Sequence, residues 1–188
     1  MSSTPSSTAG ATAGRATRPV VNVVVAGLGG QGVIKASDIL ADAALRAGHD
    51  VKKAEVHGMS QRGGSVTSDV RFGRTPADRV LSPMVPAGEA DFLVVLAPSE
   101  VEVTRGLLRP EGVLLGPDLI AESELANKRS LNVALLGALS VHVDLPVESI
   151  LDAMKAALPE RLHAVNSKAF ETGRAKTLAQ GTIPATGR

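Results

Sequence analysis

Two polar, glycine-rich loops contain the residue types in this sequence that could do chemistry. The first reads GLGGQG at 27–32, and the second reads HGMSQRGG at 57–64. Glycine lets backbone N–H groups approach an anion closely, and arginine can bind a carboxylate or phosphate through two parallel hydrogen bonds. Both loops adjoin apolar, strand-like runs. The sequence therefore predicts that they share a site for an anionic ligand or a partner chain at one edge of a sheet.

The predicted binding residues come from both loops. They are Gly27, Gly29, Gly30, Gln31, Gly32, Ser60, Gln61, Arg62 and Gly63. For the first loop, the alternative is a tight strand-to-helix turn that binds no ligand. For the second, Arg62 could pair with Glu55 or Asp69 and only fix the loop.

The first loop also satisfies the G-x-G-x-x-G pattern of dinucleotide-binding folds, through Gly27, Gly29 and Gly32. In such folds the loop holds a diphosphate at a helix N-terminus, and an acid near the end of the next strand binds the ribose. Here Asp50 precedes that strand, and Glu55 runs directly into the second loop. Neither acid is where such a fold places its ribose-binding acid. A self-sufficient oxidoreductase that uses NAD or FAD is nevertheless an open alternative. A non-enzymatic nucleotide-binding or scaffold module is another.

The remaining polar residues do not assemble into a catalytic or metal site. The chain has no cysteine, which excludes a disulfide, a thiolate-bound zinc and an iron–sulfur cluster of the usual kind. His57 has no second histidine at the spacing of a metal site, and His142 and His163 fall in predicted helices. We therefore assign no catalytic residue and no metal ligand, and expect no redox or acyl chemistry from this chain alone.

Composition excludes several classes of partner. The 188 residues include three Phe and no Trp or Tyr, whereas binding of single-stranded nucleic acid relies on aromatic stacking. The formal net charge of +1 and the lack of a basic stripe argue against duplex binding. No apolar run approaches the roughly 18 residues of a membrane span. We expect a soluble, cytoplasmic protein that binds neither nucleic acid nor membrane.

An alternation of strands and helices must position the two loops. Apolar periodicity predicts strands over 20–26, 51–56, 65–72, 90–97 and 112–116, and helices over 33–47, 100–108, 131–143, 147–158 and 161–172. The alternation over 65–72 is typical of an antiparallel or edge strand. This order predicts an α/β fold, a single three-layer α/β/α domain with a mostly parallel, mixed sheet.

The two ends of the chain differ from its centre. Residues 1–18 are rich in Ser, Thr and Ala and lack an apolar stripe, so we expect a disordered tail rather than a transit peptide. The folded domain is predicted over 19–173. Residues 174–188 are expected to form a second tail or a strap bound to a partner.

Several motifs give the sequence a family resemblance. They are GLGGQGV at 27–33, EVHGMSQRGGSV at 55–66, Asn132 with LGA at 136–138, and Asn166 with Ala169, Phe170 and Gly173. Through them the chain resembles the gamma-type subunits of 2-oxoacid:ferredoxin oxidoreductases over about residues 20–173. The form GMSQRGGSV is most similar to the small (beta) subunits of the indolepyruvate type.

The resemblance implies a subunit of an enzyme complex, with the fold of the gamma domain of pyruvate-ferredoxin oxidoreductase. Enzymes of this family decarboxylate a 2-oxoacid on thiamine diphosphate, pass electrons through [4Fe–4S] clusters to ferredoxin and release an acyl-CoA. In the indolepyruvate type, a large (alpha) subunit carries the thiamine diphosphate and the clusters, and the substrates are aryl pyruvates. This chain would then hold no cofactor of its own and be inactive alone. Its two glycine loops would face the partner subunit or the co-substrate CoA.

Overall fold

A five-stranded mixed sheet lies at the centre of the molecule. The computed structural model describes residues 18–58 and 63–180. The strands are β1 (Val20–Leu28), β2 (Val51–His57), β3 (Ser65–Gly73), β4 (Ala90–Val95) and β5 (Leu108–Leu115). Their order in the sheet is β2-β3-β1-β4-β5. Among the described strands, β3 alone runs against the others, because it pairs antiparallel with both β1 and β2, whereas β1, β4 and β5 pair in parallel. The predicted mostly parallel, mixed sheet is confirmed.

Helices cover the sheet unequally on its two faces. They are α1 (Val33–Arg46), α2 (Pro98–Thr104), α3 (Leu131–Leu139), α4 (Val147–Ala157) and α5 (His163–Ala179). The larger hydrophobic core joins one face of the sheet to α1, α3 and α4 and to the inner side of α5. The smaller core lies on the opposite face, under α2 and the loop that precedes β4. The prediction was a sheet between two helical layers, and the helical layer on this second face is thin.

Strand β1 is buried on both faces, which explains its uninterrupted apolar sequence. Val23 and Val25 point into the larger core, while Val24 and Ala26 point into the smaller one, and all four are fully buried. The strand extends to Leu28, two residues beyond the predicted end, because Gly27 and Leu28 still pair with β3. The central strand thus carries the chain directly into the first glycine loop.

Strand β3 is antiparallel, as its alternating sequence predicted, but it lies inside the sheet while β2 takes the edge. Val70 and Phe72 are buried in the larger core. On the other face the Arg71 side chain donates to the Asn22 Oδ1 atom at 2.9 Å, and the Asp69 carboxylate accepts from the Val85 N–H at 2.8 Å. Burial raises the pKa of Asp69. The polar face of β3 therefore holds the loop that precedes β4.

Helices α3 and α5 pack with their backbones in direct contact, and two glycines make this possible. A methyl group built on Gly137 would overlap with the Phe170 carbonyl oxygen, and one built on Gly173 would overlap with the Ala134 carbonyl oxygen. Two motifs that carry the family resemblance thus meet at one helix crossing.

Several helices differ in length from the prediction. Helix α2 begins at Pro98, which is favourable in the first turn, and ends at Thr104, because β5 begins at Leu108. Helix α5 continues to Ala179, past residue 173, where the predicted domain ends. Beyond that point Thr177 is still buried, and the Arg174 side chain donates to the Ser140 Oγ atom at 2.8 Å.

The predicted tails lie largely outside the described residues, which exclude 1–17 and 181–188. The described helices include none with the length and apolar character that a membrane span requires.

Candidate functional site

The carboxyl ends of β1, β4 and β5 border a crevice. Helix α1, which follows β1, packs on one face of the sheet, whereas α2, which follows β4, packs on the other. The chain therefore leaves two neighbouring parallel strands in opposite directions. Crevices of this kind are the usual ligand sites of open α/β sheets.

Among the described residues, the crevice has two neighbouring compartments that share part of their lining. The narrow cleft has a volume of about 350 Å³ and is lined by Gly30, Gln31, Gly32, Lys35, Leu96, Lys128, Arg129, Leu131 and Asn132. The wide cleft, of about 820 Å³, lies between α2, the end of β5 and the segment 117–131. Both compartments border on Gln31, Leu96, Lys128 and Leu131.

Two glycines of the first loop take left-handed backbone conformations that favour glycine. Gly30 has φ of +94° and Gly32 has φ of +86°. Both line the narrow cleft, whereas Gly27 is buried inside β1. The Gly29 N–H donates to the Gly64 carbonyl oxygen at 2.9 Å, so the first loop is hydrogen-bonded to the second. The structure thus brings the described parts of the two predicted loops together.

Gln31 closes the first loop with its own side chain. The Leu28 N–H donates to the Gln31 Oε1 atom at 2.7 Å, and the Gln31 N–H donates to the Leu28 carbonyl at 3.1 Å. A Cβ on Gly27 would lie 2.9 Å from the same Oε1 atom. Gln31 therefore has a structural role in addition to the predicted binding role, and it requires glycine at position 27.

Five backbone N–H groups in this loop and the first turn of α1 make no hydrogen bond within the described residues. They belong to Gly30, Gly32, Val33, Ile34 and Lys35. A helix N-terminus with free N–H groups attracts anions, both through these donors and through the helix dipole. The arrangement can hold a phosphate or a carboxylate.

Three basic side chains that sequence reasoning did not select also line the narrow cleft. Lys35 lies in the first turn of α1, while Lys128 and Arg129 form the short 3-10 turn before α3. The Arg129 side chain has no hydrogen bond or ion pair with any described residue. The sequence feature that could have identified Lys128 and Arg129 is the pair Lys-Arg directly before an apolar helix. Its proximity to the glycine loop arises from the position of α3.

Asn132 connects α3 to the glycine loop and was likewise not selected as a site residue. Its buried side-chain amide donates to the Gly32 carbonyl oxygen at 3.2 Å. A Cβ on Gly32 would overlap with the Asn132 amide nitrogen. Asn132 therefore fixes the turn that presents the free N–H groups.

Alanine substitutions at the two left-handed glycines separate backbone strain from steric overlap. Gly30→Ala adds a methyl group in open space, and a left-handed conformation costs an alanine about 1–2 kcal/mol. Gly32→Ala carries the same strain and also displaces Asn132. We expect Gly32→Ala to be the more destabilising by at least about 1 kcal/mol. Urea unfolding measures the difference, and equal losses would show that the Asn132 contact is unimportant.

Part of the second loop lies outside the described residues, namely Met59, Ser60, Gln61 and Arg62. The binding roles of Ser60, Gln61 and Arg62 therefore stay predictions. Next to this segment, the Gly58 N–H donates to the Ser65 carbonyl oxygen at 2.8 Å.

The acids considered as partners for Arg62 have other partners. The Lys53 ammonium lies 2.5 Å from the Glu55 carboxylate, and its hydrogen bond lowers the pKa of Glu55, with a smaller contribution from His57. Asp69 is buried beneath the loop that precedes β4, where it accepts from Val85.

Two further observations concern metal binding and dinucleotide binding. Residues 18–58 and 63–180 contain no group of three His, Asp or Glu residues arranged to hold a metal ion. Glu55 lies on β2, and β3 separates β2 from β1. Glu55 is therefore not on the strand beside the glycine loop, where a dinucleotide fold places its ribose-binding acid.

Comparison with known proteins places these features in context. A family model described as pyruvate ferredoxin/flavodoxin oxidoreductase matches residues 22–119. The chain is 33% identical to the indolepyruvate oxidoreductase subunit IorB of Thermococcus kodakarensis, over 81% of this chain and 93% of that subunit.

Two solved structures have the same fold. The gamma subunit of a keto/oxoacid ferredoxin oxidoreductase from Geobacter sulfurreducens superposes with a TM-score of 0.71 at 26% identity, covering 85% of this chain and 99% of that one. A 2-oxoglutarate:ferredoxin oxidoreductase from Magnetococcus marinus, with 2-oxoglutarate, coenzyme A and succinyl-CoA bound, gives a TM-score of 0.77 at 20% identity. That match covers 90% of this chain and 33% of the longer polypeptide.

Proposed function

Because the chain belongs to the pyruvate ferredoxin/flavodoxin oxidoreductase family, we propose that it is the small subunit of an indolepyruvate-type 2-oxoacid:ferredoxin oxidoreductase. The complex converts an aryl pyruvate and CoA into an aryl-acetyl-CoA and CO₂, and the two electrons released go to ferredoxin. The large subunit supplies thiamine diphosphate and the [4Fe–4S] clusters. The identity with an archaeal indolepyruvate oxidoreductase subunit supports this choice of substrate class.

The observation that carries this proposal is the anion site at the first glycine loop. The free N–H groups of the first loop and of the first turn of α1 lie beside the Lys35 and Arg129 side chains. CoA is a polyanion, and its phosphates suit a site of backbone donors and cations. This chain binds and orients the phosphate end of CoA, while the carbon chemistry takes place on the partner. The second glycine loop faces the same ligand or the partner subunit.

Reconstitution tests this function. We expect the purified chain alone to be colourless and inactive, because it has no cysteine to hold a cluster. Co-expression with a large, cysteine-rich thiamine-dependent subunit from the same organism should give a brown complex. That complex should reduce ferredoxin with indolepyruvate or phenylpyruvate only when CoA is present. Stoichiometric iron or flavin in the chain alone, or full activity of the large subunit alone, would contradict the proposal.

Arg62 provides a specific test of the second loop. We propose that its guanidinium binds an anion or a partner carboxylate through two hydrogen bonds, a geometry that lysine cannot reproduce. Arg62→Lys should therefore weaken complex assembly or raise the KM for CoA about 30-fold, which corresponds to about 2 kcal/mol. Arg79→Lys, at an exposed arginine elsewhere in the chain, is the control. Wild-type values for Arg62→Lys in both measurements would make Arg62 an ordinary surface residue.

A further inference from the structure

Glu100 is a buried carboxylate that has no part in the proposed anion site. It lies in the first turn of α2, where the helix dipole favours an acid, but the residue is only 6% exposed. An acid on the exposed side of the same turn would gain that interaction without the cost of burial. Burying a charge costs free energy unless hydrogen bonds or an opposite charge compensate it. The burial of Glu100 therefore requires a reason other than the stability of α2.

The carboxylate of Glu100 faces the start of β3, the strand that follows the second glycine loop. The Ser65 hydroxyl donates to the Glu100 Oε2 atom at 2.7 Å, a distance typical of a charge-assisted hydrogen bond. Among residues 18–58 and 63–180, no lysine, arginine or histidine forms an ion pair with Glu100. The Glu100 backbone is fixed as well, because its N–H donates to the Ala97 carbonyl and its carbonyl accepts from the Thr104 hydroxyl. Glu100 thus presents a rigid acceptor to Ser65.

Ser65 is the residue at which both glycine loops are joined to the sheet. Its carbonyl oxygen accepts from the Gly58 N–H at 2.8 Å, which closes the base of the second loop. It pairs with Leu28, the last residue of β1. The preceding residue, Gly64, accepts the 2.9 Å hydrogen bond from the Gly29 N–H of the first loop. A displacement of Ser65 would therefore disturb contacts of both loops.

The order of the strands brings Glu100 to this position. Strand β1 lies between β3 and β4, and α2 follows β4. Helix α2 packs through Val101 on the face of the sheet that Val24 and Ala26 form in β1. Leu28 and its partner Ser65 continue that face, because side chains alternate along a strand. Glu100 therefore connects α2 to β3 across the central strand.

We propose that Glu100 is a positioning residue. Through the Ser65 hydroxyl it holds the base of the second loop, and through the Gly64–Gly29 hydrogen bond it fixes the first loop against the second. The inference rests on the proposed function only for what the loops bind, because the contacts themselves involve neither CoA nor a partner subunit.

Hydrogen exchange on the purified full chain tests the positioning role without a ligand. Ser65→Ala removes the hydroxyl that Glu100 accepts. We expect the Gly29 and Gly58 amides to exchange about tenfold faster in this variant, as for loss of a hydrogen bond to a charged group. Glu100→Ala should have the same effect. Glu100→Gln, whose amide oxygen still accepts from Ser65, should exchange within about twofold of the wild type.

Ser68→Ala is the matched control on the same strand. The Ser68 hydroxyl also makes a hydrogen bond, to the Ala54 carbonyl oxygen at 3.2 Å, and Ser68 is fully buried. Its loss should destabilise the sheet but leave exchange at Gly29 and Gly58 as in the wild type. Equal effects of Ser65→Ala and Ser68→Ala on these two amides, or no effect of Ser65→Ala, would overturn the inference.

Kinetics of the reconstituted complex test what the positioning serves. Ser65→Ala should raise the KM for CoA about tenfold and leave kcat within about twofold, because a displaced loop weakens binding and not the chemistry on the partner. Ser68→Ala should change neither constant. An unchanged KM for Ser65→Ala in an active complex would overturn the inference. Inactivity of the wild-type complex would instead contradict the proposed function, and the exchange measurement would still decide whether Glu100 holds the loops.

Discussion

Replacing Gly173 with alanine is expected to lower the free energy of unfolding by more than about 3 kcal/mol, or to prevent folding. The added methyl group would overlap with the Ala134 carbonyl oxygen, and Gly173 has no exposed surface into which it could turn. Overpacking a close contact usually costs about 1–3 kcal/mol, and the cost is larger where the obstacle is backbone that cannot change rotamer. Helix α5 would have to move away from α3 along its whole length.

Urea unfolding followed by circular dichroism measures this effect. Gly137→Ala should be comparably harmful, because its methyl group meets the Phe170 carbonyl from the other side of the same contact. Gly106→Ala is the control, since a methyl group there has no neighbour within 4 Å. A Gly173→Ala variant as stable as Gly106→Ala would mean that α3 and α5 are farther apart in solution.

The contact between α3 and α5 also supports the site. Helix α3 carries Asn132, which holds the Gly32 carbonyl, and it follows directly after Lys128 and Arg129. Lys176 of α5 lies 2.7 Å from Glu124, and its hydrogen bond is the main cause of the lowered pKa of that carboxyl. A variant that displaces α5 should therefore weaken anion binding as well as folding.

Asp91→Ala is expected to cost about 3 kcal/mol of stability. Asp91 is 2% exposed, accepts a hydrogen bond from the Asn22 N–H at 2.8 Å, and lies 3.0 Å from the Arg109 guanidinium. Removing one partner of a buried ion pair leaves an uncompensated charge, which typically costs about 3–5 kcal/mol. The Arg109 side chain is 24% exposed, so we expect a loss at the lower end of that range.

The double variant Asp91→Ala with Arg109→Met separates the ion pair from the rest of the effect. Replacing both charged groups removes the uncompensated arginine, so the double variant should recover at least about 1 kcal/mol relative to Asp91→Ala. Thermal and urea unfolding of the wild type, of the single variants Asp91→Ala and Arg109→Met, and of the double variant give the coupling energy. Additive losses would show that Arg109 is solvated and that the Asn22 hydrogen bond accounts for the cost of losing Asp91.

Local sequence patterns determined the elements and the family of this protein. Uninterrupted apolar runs predicted the buried strands, because a strand that is covered on both faces exposes neither face to water. Alternation of apolar and polar residues predicted the antiparallel β3. The motifs at 27–33 and 55–66 predicted the family, which the match over residues 22–119 confirms. They also identified the two glycine loops, which the Gly29–Gly64 hydrogen bond joins.

The tertiary structure alone decided which residues surround the first loop. Lys128, Arg129 and Asn132 are about a hundred positions from Gly32 in the chain. Their side chains meet at the crevice because the two glycines at the α3–α5 crossing let α3 pack where it does, and because β3 closes the opposite side of β1. Sequence periodicity reports which face of an element is apolar. It does not report which distant elements pack together, because that depends on the shapes of the surfaces in contact.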